Sequence, residues 1–362
     1  MSRPSRTAKR SGSSRKKSLW ASLFALSSLL TLVLLAAAVA WLQMPMGFKE
    51  GAPILTAPQS VAVLDLSIEP GTSPKGVAKA IADAGANVSP QLLWFWFRVS
   101  GQDRAIKAGS YEITPEMSPR RVLSMLARGE ETLRSLTLVE GWTFKQFRQA
   151  LAKADHLKLT TQGMTDPDIM AQLSRPQLHP EGRFYPDTYT YAKGATDISV
   201  MKRAMKAMDR QLDLVWSKKS SKLVLSSPTE VLILASIVEK ETGRASDRPL
   251  ISSVFHNRLN IGMRLQTDPT VIYGMGDEFD GNLRRVDLRT DTPYNTYTRA
   301  GLPPTPIAMP GKAALMAAIE PASSSALYFV ARGDGSSQFS QSLNEHNLAV
   351  NQFQRKQSTQ GQ

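Results

Sequence analysis

Leu19 to Leu42 is a run of about 24 residues without a charged side chain, and nothing else in this 362-residue chain constrains its folding as strongly. A stretch that long and that apolar crosses a hydrocarbon layer as a helix or is cleaved as a signal; it does not belong to a soluble core. Trp20 and Trp41 stand at its ends, where indoles suit the lipid–water boundary. Met1 to Ser18 carries Arg3, Arg6, Lys9, Arg10, Arg15, Lys16 and Lys17 and no acidic residue, which predicts a cytoplasmic N-terminus. The run exceeds a signal-peptide core, and Gln43-Met44-Pro45-Met46 offers no small-x-small cleavage site, so the expectation is an uncleaved anchor. Everything from roughly Phe48 onward then lies across the membrane.

That topology also accounts for the charge. The chain has a formal net charge of +13, and removing the seven basic residues of the arm leaves +6. No nucleic-acid motif accompanies this mild excess, so no nucleic-acid partner is expected, and an anionic membrane surface or cell-wall polymer fits as well. Cysteine is absent, which rules out disulfides as a staple.

Residues 43–58 contain Pro and Gly, lack periodicity, and read as a stalk. After them an extended apolar segment, a turn and a helix follow one another three times. Val61–Ile68 leads to a helix starting at Ser73-Pro74, Tyr111–Ile113 to one at Ser118-Pro119, and Leu136–Val139 to one capped by Thr143. Between the first two, Ser89-Pro90 opens a short aromatic helix through Arg98 whose rings are expected in the core. The fold class is therefore α+β: a basic arm (1–18), a transmembrane helix (19–42), the stalk (43–58), a small α+β module (59–130), a mixed α+β domain (131–350) and a Gln- and Ser-rich tail (351–362) expected to be disordered. The larger domain holds a helix from Asp197 to about Trp216 and a loop-rich section from Gly262 to Gly311.

One helix of that domain carries unusual chemistry. Ser227, Pro228 and Glu230 spell a cap, a first-turn proline and a Ser-x-x-Glu capping box, and Gly243 marks the stop. At 100° per residue Val231, Leu234, Ile237, Val238 and Glu241 share one face, with Glu239 and Lys240 outside it. Glu241 is then the carboxyl set among apolar neighbours, where desolvation raises its pKa toward what a general acid needs, and Glu239 is the solvated one. A plainer alternative is that Glu241 pairs with Arg244 or Arg248.

Other chemistries lack their signatures. The four histidines include no His-x-x-x-His pair, and there is no nucleophile elbow, P-loop or dinucleotide fingerprint, so no metal or other cofactor is implied. The stretches after Glu241, Phe255–Leu259 and Gly262–Gly276 first, interleave amides, hydroxyls and carboxylates with Gly and Pro on what are expected to be loops, a mixture suited to carbohydrate binding. Ordinary glycoside hydrolysis needs two carboxyls, and Asp268, beside Pro269, is a candidate for the second or simply a turn former. One raised Glu suffices if the sugar supplies its own nucleophile.

At these residues the chain resembles the MltG/YceG-like endolytic murein transglycosylases. The matching motifs are Glu181-Gly182-Arg183-Phe184-Tyr185-Pro186-Asp187-Thr188-Tyr189, Ala235–Thr242, Arg264–Gly274, Tyr294-Asn295-Thr296-Tyr297 and Gly301-Leu302-Pro303-Pro304. The resemblance implies an inner-membrane lyase whose periplasmic part cuts nascent glycan strands internally, leaves 1,6-anhydro-muramyl ends and so limits strand elongation. It implies a LysM-like module at 59–130, a YceG-like catalytic domain at 131–350, and Glu241 as the catalytic acid. Gln266, Asp268, Thr270, Tyr294, Asn295, Tyr297 and Glu181 are its candidates for holding sugars or positioning that Glu. Peptidoglycan strands, the membrane and peptidoglycan synthases are the partners it suggests. The basic arm and the Gln-rich tail lie outside the shared pattern. A non-catalytic glycan-binding anchor is the rival reading.

Overall fold

A computed structural model describes residues 13–56, 62–220 and 223–355 and divides the chain into two compact units, Met1–Thr132 and Leu133–Gln362. The readings made for residues 1–12, 57–61 and 356–362 lie outside the described residues. The architecture is mixed α+β with one N-terminal apolar helix.

In the first unit α1 (Ser13–Gln43) includes Phe24–Gln43, long and apolar enough to cross a membrane and not buried in the protein. Then come β1 (Leu55–Thr56), β2 (Ala62–Ile68), α2 (Pro74–Asp83), α3 (Pro90–Val99), β3 (Gly109–Ile113) and α4 (Pro119–Arg128). β2 pairs antiparallel with β3, Leu66 opposite Tyr111, and β1 adds to the free edge of β2. Each helix starts at a Ser-Pro pair: the Ser73, Ser89 and Ser118 hydroxyls accept the N–H of Gly76, Leu92 and Arg121. Leu64, Leu66, Val77, Ile81, Leu93 and Phe97 meet in the core with Tyr111.

Two sequence expectations change here. The stretch read as a stalk is built into the unit as far as Thr56. Met46 is buried and its N–H bonds Met117 O at 3.0 Å, Gly47 N–H bonds Pro115 O at 3.1 Å, and Lys49 N–H bonds Gly85 O at 2.8 Å. An extended chain with unpaired N–H groups finds partners along the neighbouring loops, which local composition does not reveal. The aromatic helix α3 is also only half core, since Leu93 and Phe97 are buried while Leu92, Phe95 and Val99 face outward.

The second unit contains β4 (Leu133–Thr137), α5 (Phe144–Ala152), α6 (Asp166–Gln172), β5 (Thr188–Ala192), α7 (Asp197–Trp216), α8 (Pro228–Glu241) and α9 (Arg248–Asn260). α10 (Asp268–Met275), α11 (Arg285–Arg289), α12 (Lys312–Ile319), β6 (Tyr328–Ala331), β7 (Ser337–Ser340) and α13 (Leu343–Val350) follow. β4–β5 and β6–β7 are antiparallel pairs. The section expected to be loop-rich carries α10 and α11, and the tail continues as a helical turn over Asn351–Arg355. Asp268 accordingly opens a helix instead of forming an isolated turn.

α8 is the central element. Val231 to Val238 are each at most 5% exposed, because α7, α9, α10 and α12 pack around the helix. Ser227 caps it, accepting Glu230 N–H at 3.2 Å, but the Glu230 carboxylate reaches back to Ser226 N–H and Oγ, so the expected capping box is shifted by one residue. It stops because Thr242 is extended (φ −149°, ψ 135°) and not through a left-handed Gly243. One glycine is demanded by conformation and proximity together: at Gly182, with φ +75°, a Cβ would meet the Pro306 ring at 2.5 Å and Ala308 O at 3.2 Å.

Candidate active site

Glu241 is the last residue of α8, so its side chain leaves the apolar core where the chain turns away. Its partly buried carboxyl accepts a hydrogen bond from Thr267 Oγ1, at the entry to α10. Desolvation pushes its pKa up to about 7, the Thr267 hydroxyl works against the rise, the neighbouring Asp268 charge adds to it, and Arg258 opposes it. Neither Arg244 nor Arg248 pairs with it. Arg244 bonds Ser246, and Arg248 meets Glu239 at 3.1 Å.

Glu239 is thereby corrected. Its side chain is 6% exposed, with Arg248 on one oxygen and Gly311 N–H on the other at 2.9 Å. The helical wheel assigned it to solvent on the assumption of one buried face, and α8 is enclosed on all of them.

Behind Glu241 three buried hydroxyls fix the Thr267 loop. Thr267 N–H bonds Thr296 Oγ1 at 3.1 Å, Thr270 and Thr296 hydroxyls share a 2.9 Å bond, and Thr270 Oγ1 donates to Thr267 O at 2.7 Å. Asn295 Nδ2 donates to the carbonyls of Asp287, Leu288 and Thr290, while its Oδ1 accepts Tyr297 N–H. Thr270 and Asn295 are fully buried and spend their polar groups on bracing the loop. Tyr297 hydroxyl donates to Asp268 Oδ1 at 2.5 Å. Gln266 is exposed, holds a left-handed φ of +48°, and anchors its N–H on Thr296 O at 3.1 Å. A non-glycine residue in that region carries strain, here one residue before the Thr267 hydroxyl that bonds Glu241.

Glu181 forms a second carboxyl centre. It is 3% exposed and accepts Phe144 N–H at 3.0 Å, Gly182 N–H at 3.3 Å and the Tyr273 hydroxyl at 3.1 Å. Burial pushes its pKa to about 7 against those donors. Tyr273 packs edge-on against Tyr294 with centroids 4.8 Å apart, and Tyr294 bonds Thr305 at 2.8 Å. Glu181, Tyr273 and Tyr294 line a cavity of about 1160 Å³ with Lys240 and Pro269. Those last two are chain neighbours of Glu241 and Asp268; Glu241, Asp268, Gln266 and Tyr297 are not in the cavity wall. Much of the wall comes instead from α5, read from the sequence only as a helix capped by Thr143, and from the segment after it. Thr267 was missed as well; its only signal is its place before an Asp-Pro helix start. Among the described residues no group of three or more His, Asp or Glu side chains is arranged to hold a metal ion.

Fold and site together define a protein with an apolar N-terminal helix and a mixed α+β unit whose central helix ends in a carboxylic acid poised for proton transfer near neutrality. The chain belongs to the YceG-like family, whose sequence profile matches residues 66–352. A Bacillus subtilis (strain 168) protein named endolytic murein transglycosylase is 30% identical over 312 residues, 81% of this chain and 86% of that one. A Streptococcus pneumoniae (strain R6) protein of the same name is 30% identical over 299 residues, 74% of this chain, and the match spans only 54% of its length. A crystal structure of a YceG-like protein from Listeria monocytogenes has a TM-score of 0.51 at 30% identity, over 80% of this chain and 99% of the other.

Proposed function

We propose that this chain is an endolytic peptidoglycan lytic transglycosylase, anchored by α1 with its N-terminus cytoplasmic and its second unit in the periplasm. The observation that carries the proposal is Glu241, a carboxyl with a pKa of about 7 held by a single hydroxyl at the end of a buried helix. Protonated, it delivers its proton to the glycosidic oxygen between a muramic acid residue and the next sugar. As the C1–O bond breaks, the muramic acid 6-hydroxyl attacks C1, and the Glu241 carboxylate takes the hydroxyl proton. The products are a free 4-hydroxyl and a 1,6-anhydro ring; no water is consumed and the Glu is regenerated. Cutting nascent strands internally limits their length. The curated relatives named for this activity support the reading, as does the polar character of the neighbouring loops.

In this reading Gln266 and Asp268, exposed next to Glu241, contact sugars, with Tyr297 orienting Asp268. Tyr294 and Glu181 shape the adjoining cavity. Thr270 and Asn295 hold the loop that positions Glu241. The two helices between antiparallel strands β2 and β3 support taking the first unit as the LysM-like glycan-binding module. Peptidoglycan synthases making the strands are the further partners proposed.

Digestion of purified sacculi by wild type and by Glu241→Gln, read by mass spectrometry, tests the proposal. Anhydro-muropeptides from wild type alone are expected. Equal product from both removes Glu241 from the chemistry, reducing ends in place of anhydro ends signify a hydrolase, and no product from wild type favours a non-catalytic anchor.

A further inference from the structure

The exposed face of α3 is the strongest feature that the proposed reaction leaves unused. Leu92, Phe95, Trp96 and Val99 recur at i, i+3, i+4 and i+7, the spacing of one helix face. Leu92, Phe95 and Val99 are 54%, 62% and 64% exposed, although the helix already spends Leu93 and Phe97 on the core. A helix apolar on both sides needs a second covering. We propose that this face lies in the interfacial layer of the same bilayer that α1 crosses, so that the first unit rests on the membrane surface. The proposal rests on reading α1 as an anchor.

Three observations name the lipid surface as the occupant. First, no free linker separates α1 from the unit: Trp41 packs against its core, and Met46 and Gly47 are hydrogen-bonded into it within the next few residues. Gly47 O in turn accepts Asn87 N–H at 3.1 Å, and Ser89 caps α3 two residues later, so the membrane exit of α1 is tied directly to the start of α3. Second, Trp96 within the stripe is half-buried against the same core as Trp41, and indoles favour the boundary between acyl chains and headgroups. Third, exposed Arg98 in the last turn of α3 supplies a cation at the edge of the apolar stripe, the pairing that binds anionic headgroups.

The chain contains no cysteine, so single labels can be placed cleanly. Full-length Leu92→Cys, Phe95→Cys and Val99→Cys, with Lys202→Cys on α7 as aqueous reference, are spin-labelled in nanodiscs containing anionic lipid. The ratio of collision rates with oxygen and with a water-soluble nickel chelate is then measured, with circular dichroism to verify folding. The expected ratio at all three α3 positions is at least about tenfold that at 202, as for side chains sunk below the headgroups. A ratio equal to the reference overturns the proposal, and so does protection that develops only on adding glycan strands, which would assign the stripe to the polymer. Extraction of the whole chain from vesicles by carbonate would instead remove the anchor reading itself.

Discussion

The Glu241 carboxyl is raised chiefly by desolvation, and two neighbours adjust it in opposite directions, which makes it testable residue by residue. In the proposed reaction it must carry its proton, so activity should fall as pH rises through about 7. Thr267 donates a hydrogen bond to it and favours the ionised form, whereas Asp268 places a like charge nearby and favours the neutral form. Thr267→Val should therefore move the alkaline limb of the pH–rate profile upward, and Asp268→Asn should move it downward. Rates of anhydro-muropeptide release across pH 5 to 9 check both shifts; limbs moving together would mean that another group titrates. Glu241→Gln should lower the plateau by about 10²–10⁴-fold, the usual worth of a positioned acid. Glu241 was legible in the sequence because its neighbours on the helix face are apolar. Thr267 was not, because it reaches Glu241 across 26 positions of chain, and no local pattern encodes that approach.

At the scale of elements, the helix starts were readable and the enclosure of helices was not. Ser73-Pro74, Ser89-Pro90, Ser118-Pro119 and Ser227-Pro228 each begin a helix, because a hydroxyl cap and a proline in the first turn act within four residues. Phe255–Leu259, expected on a loop, lies in α9 because its apolar face packs against α8. α12 and the β6–β7 hairpin drew no prediction, and α8 was taken to have one buried face when it has no exposed one over Val231–Val238. The enclosure has an energetic consequence at Ser236, whose fully buried hydroxyl donates to Ile233 O and accepts Ile307 N–H at 3.0 Å. Ser236→Ala leaves that N–H without a partner and should cost about 1–3 kcal/mol in urea unfolding. Arg248→Met, stranding Glu239 in a site 6% exposed, should cost about 3–5 kcal/mol. Adding Glu239→Gln should recover part of that loss, since the damage lies in the unpaired charge.

For the whole molecule, a second unit with two carboxyls raised to about 7 is a protein whose stability depends on pH in the neutral range. Glu181 is the cleaner case, being 3% exposed and held by two backbone N–H groups and Tyr273. Its folded pKa of about 7 lies above the ordinary 4.5, so the folded state binds more protons than the unfolded state between those values. Stability is thus highest below 4.5 as far as this group is concerned, falls as pH rises through the window, and reaches its floor above 7. The full fall corresponds to about 3 kcal/mol. Glu181→Gln keeps an oxygen for Phe144 N–H and an amide for the Tyr273 oxygen but cannot ionise. It should match wild type at pH 4 and exceed it by up to about 3 kcal/mol at pH 8 in urea unfolding of the full chain in mild detergent. Glu241 contributes part of the slope that the variant retains, so Glu181→Gln with Glu241→Gln should flatten it further. A wild-type slope unchanged by Glu181→Gln would mean that Glu181 does not titrate in the neutral range, and the cavity floor would then be charged at the pH where the enzyme works.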